Sequence, residues 1–191
     1  MAKRDPSATN ARAAAAAQTR EHLINTGFRL AERTGLGGMS VNILVETAGV
    51  SKGAFFHHFK DRTSYLLAVH RNFHDRLQNE ISKAIDHMPP GVERLLVASH
   101  SYLDACLRDR GVRALLLEAR AEAPIADAVR ARNAQMAELR AADFQAMAWP
   151  HPLDAARLWV GLVAEGALIE LDAGCRQEAT RDTLRWFLQT P

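Results

Sequence analysis

Apolar residues recur at intervals of three and four positions along most of the chain, the spacing that places them on one face of an α-helix. Val41, Leu44, Val45 and Ala48 are one example of this pattern. No stretch shows the strict alternation of apolar and polar residues that is typical of a half-buried strand. The pattern therefore predicts an all-α fold with about nine helices.

Glycine and proline clusters mark where these helices end. The first predicted helix covers residues 19–33 and stops at the glycine-rich turn of residues 35–38. A long helix over residues 61–85 ends before Pro89 and Pro90. Further helices are predicted over residues 41–48, 51–60, 92–107, 112–120, 124–147, 154–172 and 178–189.

Two of the shortest predicted helices are joined by a tight turn. Ser40 is a good N-cap for the first of them, Gly49 ends it, and Ser51 is a good N-cap for the second. This is the outline of a helix-turn-helix, a motif whose second helix enters the major groove of DNA.

The second helix of this motif carries apolar and cationic residues on opposite sides. Phe55 and Phe59 are four residues apart, so both can pack inward. Ser51 can cap the helix and hold a phosphate oxygen, and Gly53 allows the backbone to approach DNA closely. The residues left on or near the outer side are Lys52, Gly53, Ala54, Phe56, His57 and His58.

The segment from Ser40 to Asp61 resembles the DNA-binding signature of the tetracycline-repressor (TetR) family. The resemblance covers about residues 20–67 in motif, and the remaining two thirds of the chain only in helix number and order. It implies that Lys52, His57, His58 and Lys60 contact phosphates. The full predicted DNA-binding set is Ser40, Asn42, Ser51, Lys52, Gly53, Ala54, Phe56, His57, His58 and Lys60.

The chain departs from the family pattern at four positions. Ala54 stands where Thr or Ser is usual and Phe56 where Tyr is usual, so a hydroxyl is lost at each. Val45 replaces a small Ala, and Ser64 replaces the usual Glu of the helix cap that Asp61 begins. We expect these changes to alter individual DNA contacts and not the docking mode.

The resemblance and the charge distribution together predict the domain organisation. Up to residue 65 the chain has nine Lys and Arg against five Asp and Glu, a net charge of +4, and the remainder has fifteen against seventeen, a net charge of −2. Basic character thus lies where a polyanion would dock. We expect a flexible basic, Ala-rich arm over residues 1–16, a DNA-binding domain over 17–64 and a ligand-binding and dimerisation domain over 65–191.

The family resemblance implies a small-molecule cavity in the C-terminal domain, lined by apolar residues with a few polar groups. Ordinary core packing is the alternative explanation for the same side chains. The candidate ligand-binding residues are His70, Phe73, His74, His100, Tyr102, Met136, Phe144, Trp149 and Trp159.

Two further features bear on metal and redox chemistry. His70 and His74 have the i, i+4 spacing of helical zinc ligands, but the chain lacks the Glu of an HExxH motif and an identifiable third ligand. Cys106 and Cys175 form no CxxC or Cys/His cluster, which argues against a zinc finger or a disulfide framework. We expect no catalytic residue, no metal and no cofactor.

Residues 155–171 combine small and apolar side chains in a way that suits a helix packed against a second copy of itself. With Leu184, Phe187 and Leu188, they predict a homodimer through the last two helices; an internal core helix is the alternative. No segment resembles a signal peptide or a membrane span, so a cytoplasmic location is expected.

The family resemblance implies a ligand-responsive transcriptional regulator, commonly a repressor. It would bind double-stranded DNA at a palindromic operator as a dimer and be released by a small-molecule effector. The alternatives are a metal-dependent enzyme that uses His70 and His74, and a helical protein-interaction module.

Overall fold

Helices make up nearly all of the described chain. The structure, a computed structural model, describes the backbone of residues 6–189 and the side chains of residues 10–189. Within that range it contains nine α-helices, one 3₁₀ turn and no strand, which confirms the all-α prediction. The helices are α1 (Pro6–Thr34), α2 (Val41–Ala48), α3 (Lys52–His58), α4 (Arg62–Ile85), α5 (Val92–Arg108), α6 (Arg110–Glu118), α7 (Ala123–Ala146), α8 (Pro152–Ala173) and α9 (Glu178–Gln189), with the 3₁₀ turn at Ala119–Ala121.

Side-chain caps set the boundaries of α2 and α3. The backbone N–H of Ile43 donates to Oγ of Ser40 over 3.3 Å, and the N–H of Ala54 donates to Oγ of Ser51 over 3.1 Å. Gly49 ends α2 with φ 65°, a left-handed conformation that glycine adopts without strain. Residues 49–51 alone separate the two helices. They therefore form the predicted helix-turn-helix.

An aromatic core holds α1, α3 and the start of α4 together. The rings of Phe55 and Phe59 lie 5.6 Å and 5.1 Å from that of Tyr65, and all three residues are buried. The Tyr65 hydroxyl donates to the carbonyl oxygen of Leu23 over 3.0 Å. A Cβ at Gly27 would lie 1.9 Å from that hydroxyl oxygen, so α1 can approach Tyr65 only because residue 27 has no side chain.

The first helix begins earlier than the sequence pattern indicated. Residues 6–16, predicted as part of a flexible arm, belong to α1, and residues 1–5 lie outside the described range. The alanine run at residues 13–17 accounts for the difference, because alanine has the highest intrinsic helix propensity. Residues 10–15 of this part are exposed, and residue 16 is half-buried. The intrinsic helix propensity of alanine, and not burial, therefore accounts for the helical conformation of this segment.

The remaining helices form a bundle that α4 joins to the first three. α7 and α8 pack together over a long interface, α5 packs against both α4 and α8, and α9 lies against α5 and α8. None of the helices within residues 6–189 is long and apolar enough to cross a membrane.

Buried ion pairs connect the C-terminal helices. Arg181 on α9 donates to both carboxylate oxygens of Glu170 on α8, over 2.7 and 2.8 Å. Burial alone would raise the pKa of Glu170, but the hydrogen bonds from Arg181 and from the backbone N–H of Gln177 hold it below its ordinary value. Asp143 on α7 similarly accepts from Arg94 on α5 over 2.5 Å.

Three carboxylates tie the N-terminal helices to the bundle. Glu122 accepts from Arg62 over 2.7 Å and from the Thr63 hydroxyl over 2.8 Å, both at the start of α4. Glu32 accepts from the backbone N–H at residue 111 over 2.8 Å, and Glu118 accepts from that at residue 36 over 3.2 Å. These bonds connect α6 and the residue before α7 with α1 and α4.

Candidate functional sites

The helix α3 is oriented by the two phenylalanines on its inner side. Phe55 is fully buried and Phe59 nearly so, whereas Phe56, next to Phe55 in sequence, is 53% exposed. The rings of Phe55 and Phe56 meet edge to face, 5.3 Å apart. This anchoring leaves the opposite side of α3 uncovered within the protomer.

That uncovered side, here called the α3 surface, carries the predicted DNA-binding set. Ala54 and His58 are half-buried, and the other members are exposed. All ten residues therefore lie in or next to α2 and α3, and none of them is fully buried. The members are Ser40, Asn42, Ser51, Lys52, Gly53, Ala54, Phe56, His57, His58 and Lys60.

The α3 surface has two cationic lysines, Lys52 and Lys60, and His58 adds little to their charge. Burial, together with the neighbouring His57 and Arg20, lowers the pKa of His58 from its ordinary value. His58 is therefore mostly neutral at pH 7. The guanidinium of Arg20 on α1 lies 5.2 Å from the ring centre of Phe59. The sequence pattern gave no reason to select Arg20, because α1 is distant from the motif along the chain.

Gly53 lies at a point where a side chain would meet open space within the protomer. A Cβ at this position would have only Oγ of Ser51 nearby, at 3.7 Å, an ordinary contact. The fold itself does not require glycine there. The absence of a side chain leaves room for another molecule to approach the backbone at this point.

A cavity of about 80 Å³ lies between α4, α5, α7 and α8. Of the nine candidate ligand residues, His74, Tyr102, Met136 and Trp159 line it. The sequence pattern did not single out the other lining residues, which include two arginines and no carboxylate. These are Gln78, Ile81, Ala98, Ser99, Arg132, Asn133, Arg140, Val160, Val163 and Ala164.

The other five candidates lie elsewhere in the bundle. Phe144 is buried against Trp159, with ring centres 6.5 Å apart, and Trp149 covers Phe144 at 5.2 Å. Phe73 lines a second depression, between α1, α4 and α5. His70 is buried behind His74, and His100 on α5 is half-buried.

Polar groups inside the cavity are fixed by hydrogen bonds. The indole N–H of Trp159 donates to Oγ of Ser99 over 3.1 Å, and the Ser99 hydroxyl donates to the carbonyl oxygen of Leu95 over 2.7 Å. Arg132 donates to the carbonyl oxygen of His74 over 2.6 Å. These bonds fix the side chains of Trp159, Ser99 and Arg132, which line the cavity from α8, α5 and α7.

His70 and His74 stack on one face of α4 with ring centres 4.4 Å apart. Burial lowers the pKa of His70 to about 4, and Arg132, Arg120 and Arg113 contribute to that shift. The pKa of His74 is lowered by burial, by His70 and by the same arginines. Both rings are therefore neutral at pH 7. No cluster of three or more His, Cys, Asp or Glu suited to a metal ion occurs in the described part of the chain.

The last two helices present an apolar face to solvent. On α8, Leu158 is 72% exposed, and Leu162 and Ile169 follow it along the same side. Trp186 and Phe187 on α9 are also largely exposed. Other residues predicted for a dimer contact are instead used inside the protomer, where they are buried: Ala156, Ala167, Leu184 and Leu188.

Residues 23–69 match the family described as "Bacterial regulatory proteins, tetR family", and this segment contains the helix-turn-helix and its aromatic core. Over these helices the chain is similar to the tetR family. Over 63 residues it is 38% identical to the HTH-type transcriptional repressor NemR of Escherichia coli strain K12. That alignment covers 31% of this chain and 32% of NemR, so it spans about a third of the relative's length.

The arrangement of the remaining helices is also found in solved structures. A transcriptional regulator from Rhodococcus sp. Rha1 superimposes with a TM-score of 0.77 at 25% identity, covering 88% of this chain and 93% of the regulator. The multidrug binding protein EbrR, solved in complex with imidazole, superimposes with a TM-score of 0.73 at 17% identity, covering 90% and 96% of the two chains. The likeness to EbrR concerns the fold alone.

Proposed function

We propose that this protein is a ligand-responsive transcriptional repressor that binds a palindromic operator as a homodimer and releases it when a small molecule occupies the cavity. The observation that carries the proposal is the α3 surface. Lys52, Lys60, His57 and the two capping serines are exposed in or beside a helix that buried phenylalanines hold in place. It acts as a regulator and not as an enzyme.

In DNA binding, the α3 surface enters the major groove and contacts the phosphates on either side. Lys52 and Lys60 supply charge at opposite ends of α3, and Ser51 presents a hydroxyl at its N-terminus. Gly53 and Ala54 lie where small residues allow the backbone to approach the bases. Phe56 offers an apolar contact, such as one with a thymine methyl group.

The dimer forms through the apolar face of α8 and α9. Leu158, Leu162 and Ile169 form a stripe on α8, and Phe187 adds to it from α9. A symmetric interface of two helices from each copy would bury this stripe. It would also place two α3 surfaces at successive major-groove positions, which are about 34–36 Å apart.

Release follows from the link between the cavity and α4. The cavity volume of about 80 Å³ is smaller than the ~150 Å³ cavity known to accept benzene, so a ligand has to move the surrounding helices apart. α4 is one of these helices, and its first turn is bonded to Glu122 at the start of α7. A ligand that binds the separated arrangement more tightly would shift the dimer away from the DNA-binding spacing.

The test is salt-dependent binding to a duplex selected from a random-sequence library, followed by fluorescence anisotropy. We expect affinity to fall steeply with salt, because phosphate contacts release counterions. Lys52→Ala should weaken binding and reduce the slope of log K against log salt by about one. Lys83→Ala, an exposed lysine near the end of α4, is the matched control and should leave the slope unchanged.

Selection of no duplex, or an equal slope for Lys52→Ala and the unmodified protein, would contradict the proposed role of the α3 surface. Analytical ultracentrifugation tests the dimer separately. Leu158→Glu should convert the dimer to a monomer, because it places a charge in the apolar stripe without disturbing the protomer.

A further inference from the structure

The N-terminal part of α1 extends beyond the helices against which α1 packs. Residues 10–20, here called the α1 extension, are exposed except for residues 16 and 19, which are half-buried. Full burial on α1 begins only at Leu23. The α1 extension is therefore largely uncovered by the described part of the protomer.

Contacts of α1 with three other helices fix the direction in which the α1 extension leaves the fold. The guanidinium of Arg20 lies 5.2 Å from the ring centre of Phe59, the C-cap of α3. Nε2 of His22 donates to the carbonyl oxygen of Ala48, the last residue of α2, over 2.9 Å. Near the other end of α1, Glu32 accepts from a backbone N–H of α6. The α1 extension therefore continues past the helix-turn-helix, in the direction away from α6.

The α1 extension carries positive charge without a counter-ion. Its charged residues are Arg12 and Arg20, and no Asp or Glu occurs between residues 6 and 20. Neither arginine takes part in an ion pair among the described residues. Both side chains are exposed. A cationic face of this kind is complementary to a polyanion.

This charge is continuous with the surface that we propose to bind DNA. Phe59, the contact of Arg20, lies between His58 and Lys60, which are both members of the α3 surface. Burial, His57 and Arg20 lower the pKa of His58, in keeping with that contact. Arg20 is therefore the point at which the α1 extension adjoins the α3 surface.

The spacing of Arg12 places it on the same face of α1 as part of the core. Arg12, Ala16, Thr19 and Leu23 stand at i, i+4, i+7 and i+11, so they share one face of the helix. Leu23 is buried, Ala16 and Thr19 are half-buried, and Arg12 is exposed. Arg12 thus continues the packed face of α1 beyond the point where the packing ends.

The length of the α1 extension determines how far it can reach along a duplex. A helix rises about 1.5 Å per residue, so Arg12 lies about 12 Å along α1 from Arg20. That distance corresponds to about three to four base-pair steps. Five alanines separate the two arginines, and their short side chains allow the helix backbone to approach a row of phosphates closely.

We propose that the α1 extension is a second DNA contact, in which Arg20 and Arg12 bind backbone phosphates beside the base pairs that α3 reads. Because the contact is to phosphates, it adds affinity for every sequence and does not select bases. The inference rests on the proposed function, since it adds a contact to the proposed complex with DNA.

The experiment measures the salt dependence of binding of the full-length protein to the selected duplex. Arg12→Ala and Arg20→Ala should each reduce the slope of log K against log salt by about one. The loss of affinity between 50 and 200 mM salt should then be about 3.5-fold smaller in each variant. Alanine has a higher helix propensity than arginine, so these substitutions preserve the helix.

Two further variants separate charge from other effects. Arg12→Lys should retain the slope of the unmodified protein, because lysine also pairs with phosphate. Arg33→Ala, an exposed arginine in the last turn of the same helix, is the matched control and should leave the slope unchanged. An unchanged slope in Arg12→Ala, or an equal change in Arg33→Ala, would overturn the proposal.

Neutral phosphates locate the contact on the duplex. Methylphosphonate groups are placed at one phosphate at a time, and binding of the unmodified protein and of Arg12→Ala is compared. We expect one or two phosphates at which the neutral group weakens binding of the unmodified protein but not of Arg12→Ala. Identical sensitivity of both proteins at every phosphate would contradict a direct contact by Arg12.

The outcomes distinguish this inference from the function on which it rests. If Lys52→Ala reduces the salt slope and Arg12→Ala does not, the repressor proposal stands and the second DNA contact fails. If Arg12→Ala instead changes the monomer–dimer equilibrium with an unchanged slope, the α1 extension belongs to a contact between two copies, and the inference fails. If no duplex is selected, the repressor proposal itself fails.

Discussion

The helices before and after the start of α4 begin in different ways. Ser40, Ser51 and Asp61 cap α2, α3 and α4 with side-chain hydrogen bonds, whereas α5, α6, α7 and α8 have no such cap. Among residues 10–189, every buried side-chain nitrogen or oxygen without a hydrogen-bond partner belongs to residue 70 or a later one. The N-terminal helices are thus specified by local bonds, and the bundle tolerates unsatisfied polar groups.

This difference matches the two roles that we propose. A surface that reads DNA needs its side chains in fixed positions, and short helices achieve this only with caps and a rigid core. A cavity that accepts a ligand needs groups that are available for bonding and helices that can move. The comparison can be tested by changing one region at a time.

The largest effect is expected from Phe55→Ala. Phe55 is fully buried between α1, α3 and Tyr65, so its loss should lower the free energy of unfolding by about 4 kcal/mol. The matched variant is Phe56→Ala, one residue along and exposed. It should change stability by less than about 0.5 kcal/mol while weakening DNA binding. Urea denaturation and anisotropy measure the two quantities, and similar losses of stability in both variants would contradict the orientation of α3.

Glu170→Gln should have the next largest effect. The substitution leaves Asp104, at 2.6 Å, as the one carboxylate partner of the buried Arg181. We therefore expect the free energy of unfolding to fall by about 2 kcal/mol, which is less than the usual cost of breaking a buried ion pair. Because the pKa of Glu170 is held low, its contribution is present above pH ~4.3 and is lost as the pH falls through the folded-state value. Glu93→Gln, in an exposed pair with Arg185, should cost almost nothing. Equal losses of stability in Glu170→Gln and Glu93→Gln would show that the buried ion pair contributes no more to stability than the exposed one.

Acid sensitivity of the bundle gives a third test. The pKa of His70 is about 4 in the folded protein, with burial as the main cause, Arg132, Arg120 and Arg113 adding to it, and Asp75 opposing it. The unfolded chain therefore binds a proton first, and stability falls as the pH drops from 6.5 toward 4. His70→Gln should reduce the fall in Tm between pH 7 and pH 5 by about 3 °C.

The exposed His87 provides the control for this measurement. His87→Gln should leave the dependence of Tm on pH as it is in the unmodified protein. A pH dependence that is unchanged in His70→Gln would show that His70 titrates normally, contrary to its buried position.

The smallest effects concern the caps themselves. Ser51→Ala should destabilise the protein by about 1 kcal/mol, since it leaves the N–H of Ala54 without its side-chain acceptor. In the opposite direction, His151→Ser would give α8 the cap that it lacks and should add about 0.5 kcal/mol. Thermal denaturation of the two variants measures both changes in stability. A gain for Ser51→Ala, or a loss for His151→Ser, would contradict the assigned role of the caps.

The helix-turn-helix could be predicted from the sequence because its determinants are close together along the chain. Ser40 caps the N–H three residues later, as Ser51 does, and Phe55 and Phe59 lie one helical turn apart. Local spacing therefore specifies both the turn and the buried side of α3. Arg20 could not be predicted from local spacing, because only the fold brings it next to Phe59.

The cavity could be predicted only in part, because it is assembled from four helices that are distant in sequence. Tyr102 and Trp159 were identified as aromatic residues among apolar ones, but Phe144 and Trp149 satisfy the same criterion and pack beside the cavity. Arg132 and Arg140 were not identified as lining residues because arginine is usually exposed.

The carboxylate of Glu122 has a consequence for recombining the two halves of this molecule. It bonds at once to Arg62 and Thr63, while Arg62 also donates to the carbonyl oxygen of Met39 just before α2. A chimera that joins α1–α3 and the first turn of α4 of this chain to the bundle of another protein would keep Arg62 and Thr63 and lose their shared acceptor. Such a hybrid would have to carry an acidic residue just before its α7, or the bond between its N-terminal helices and its bundle would be lost.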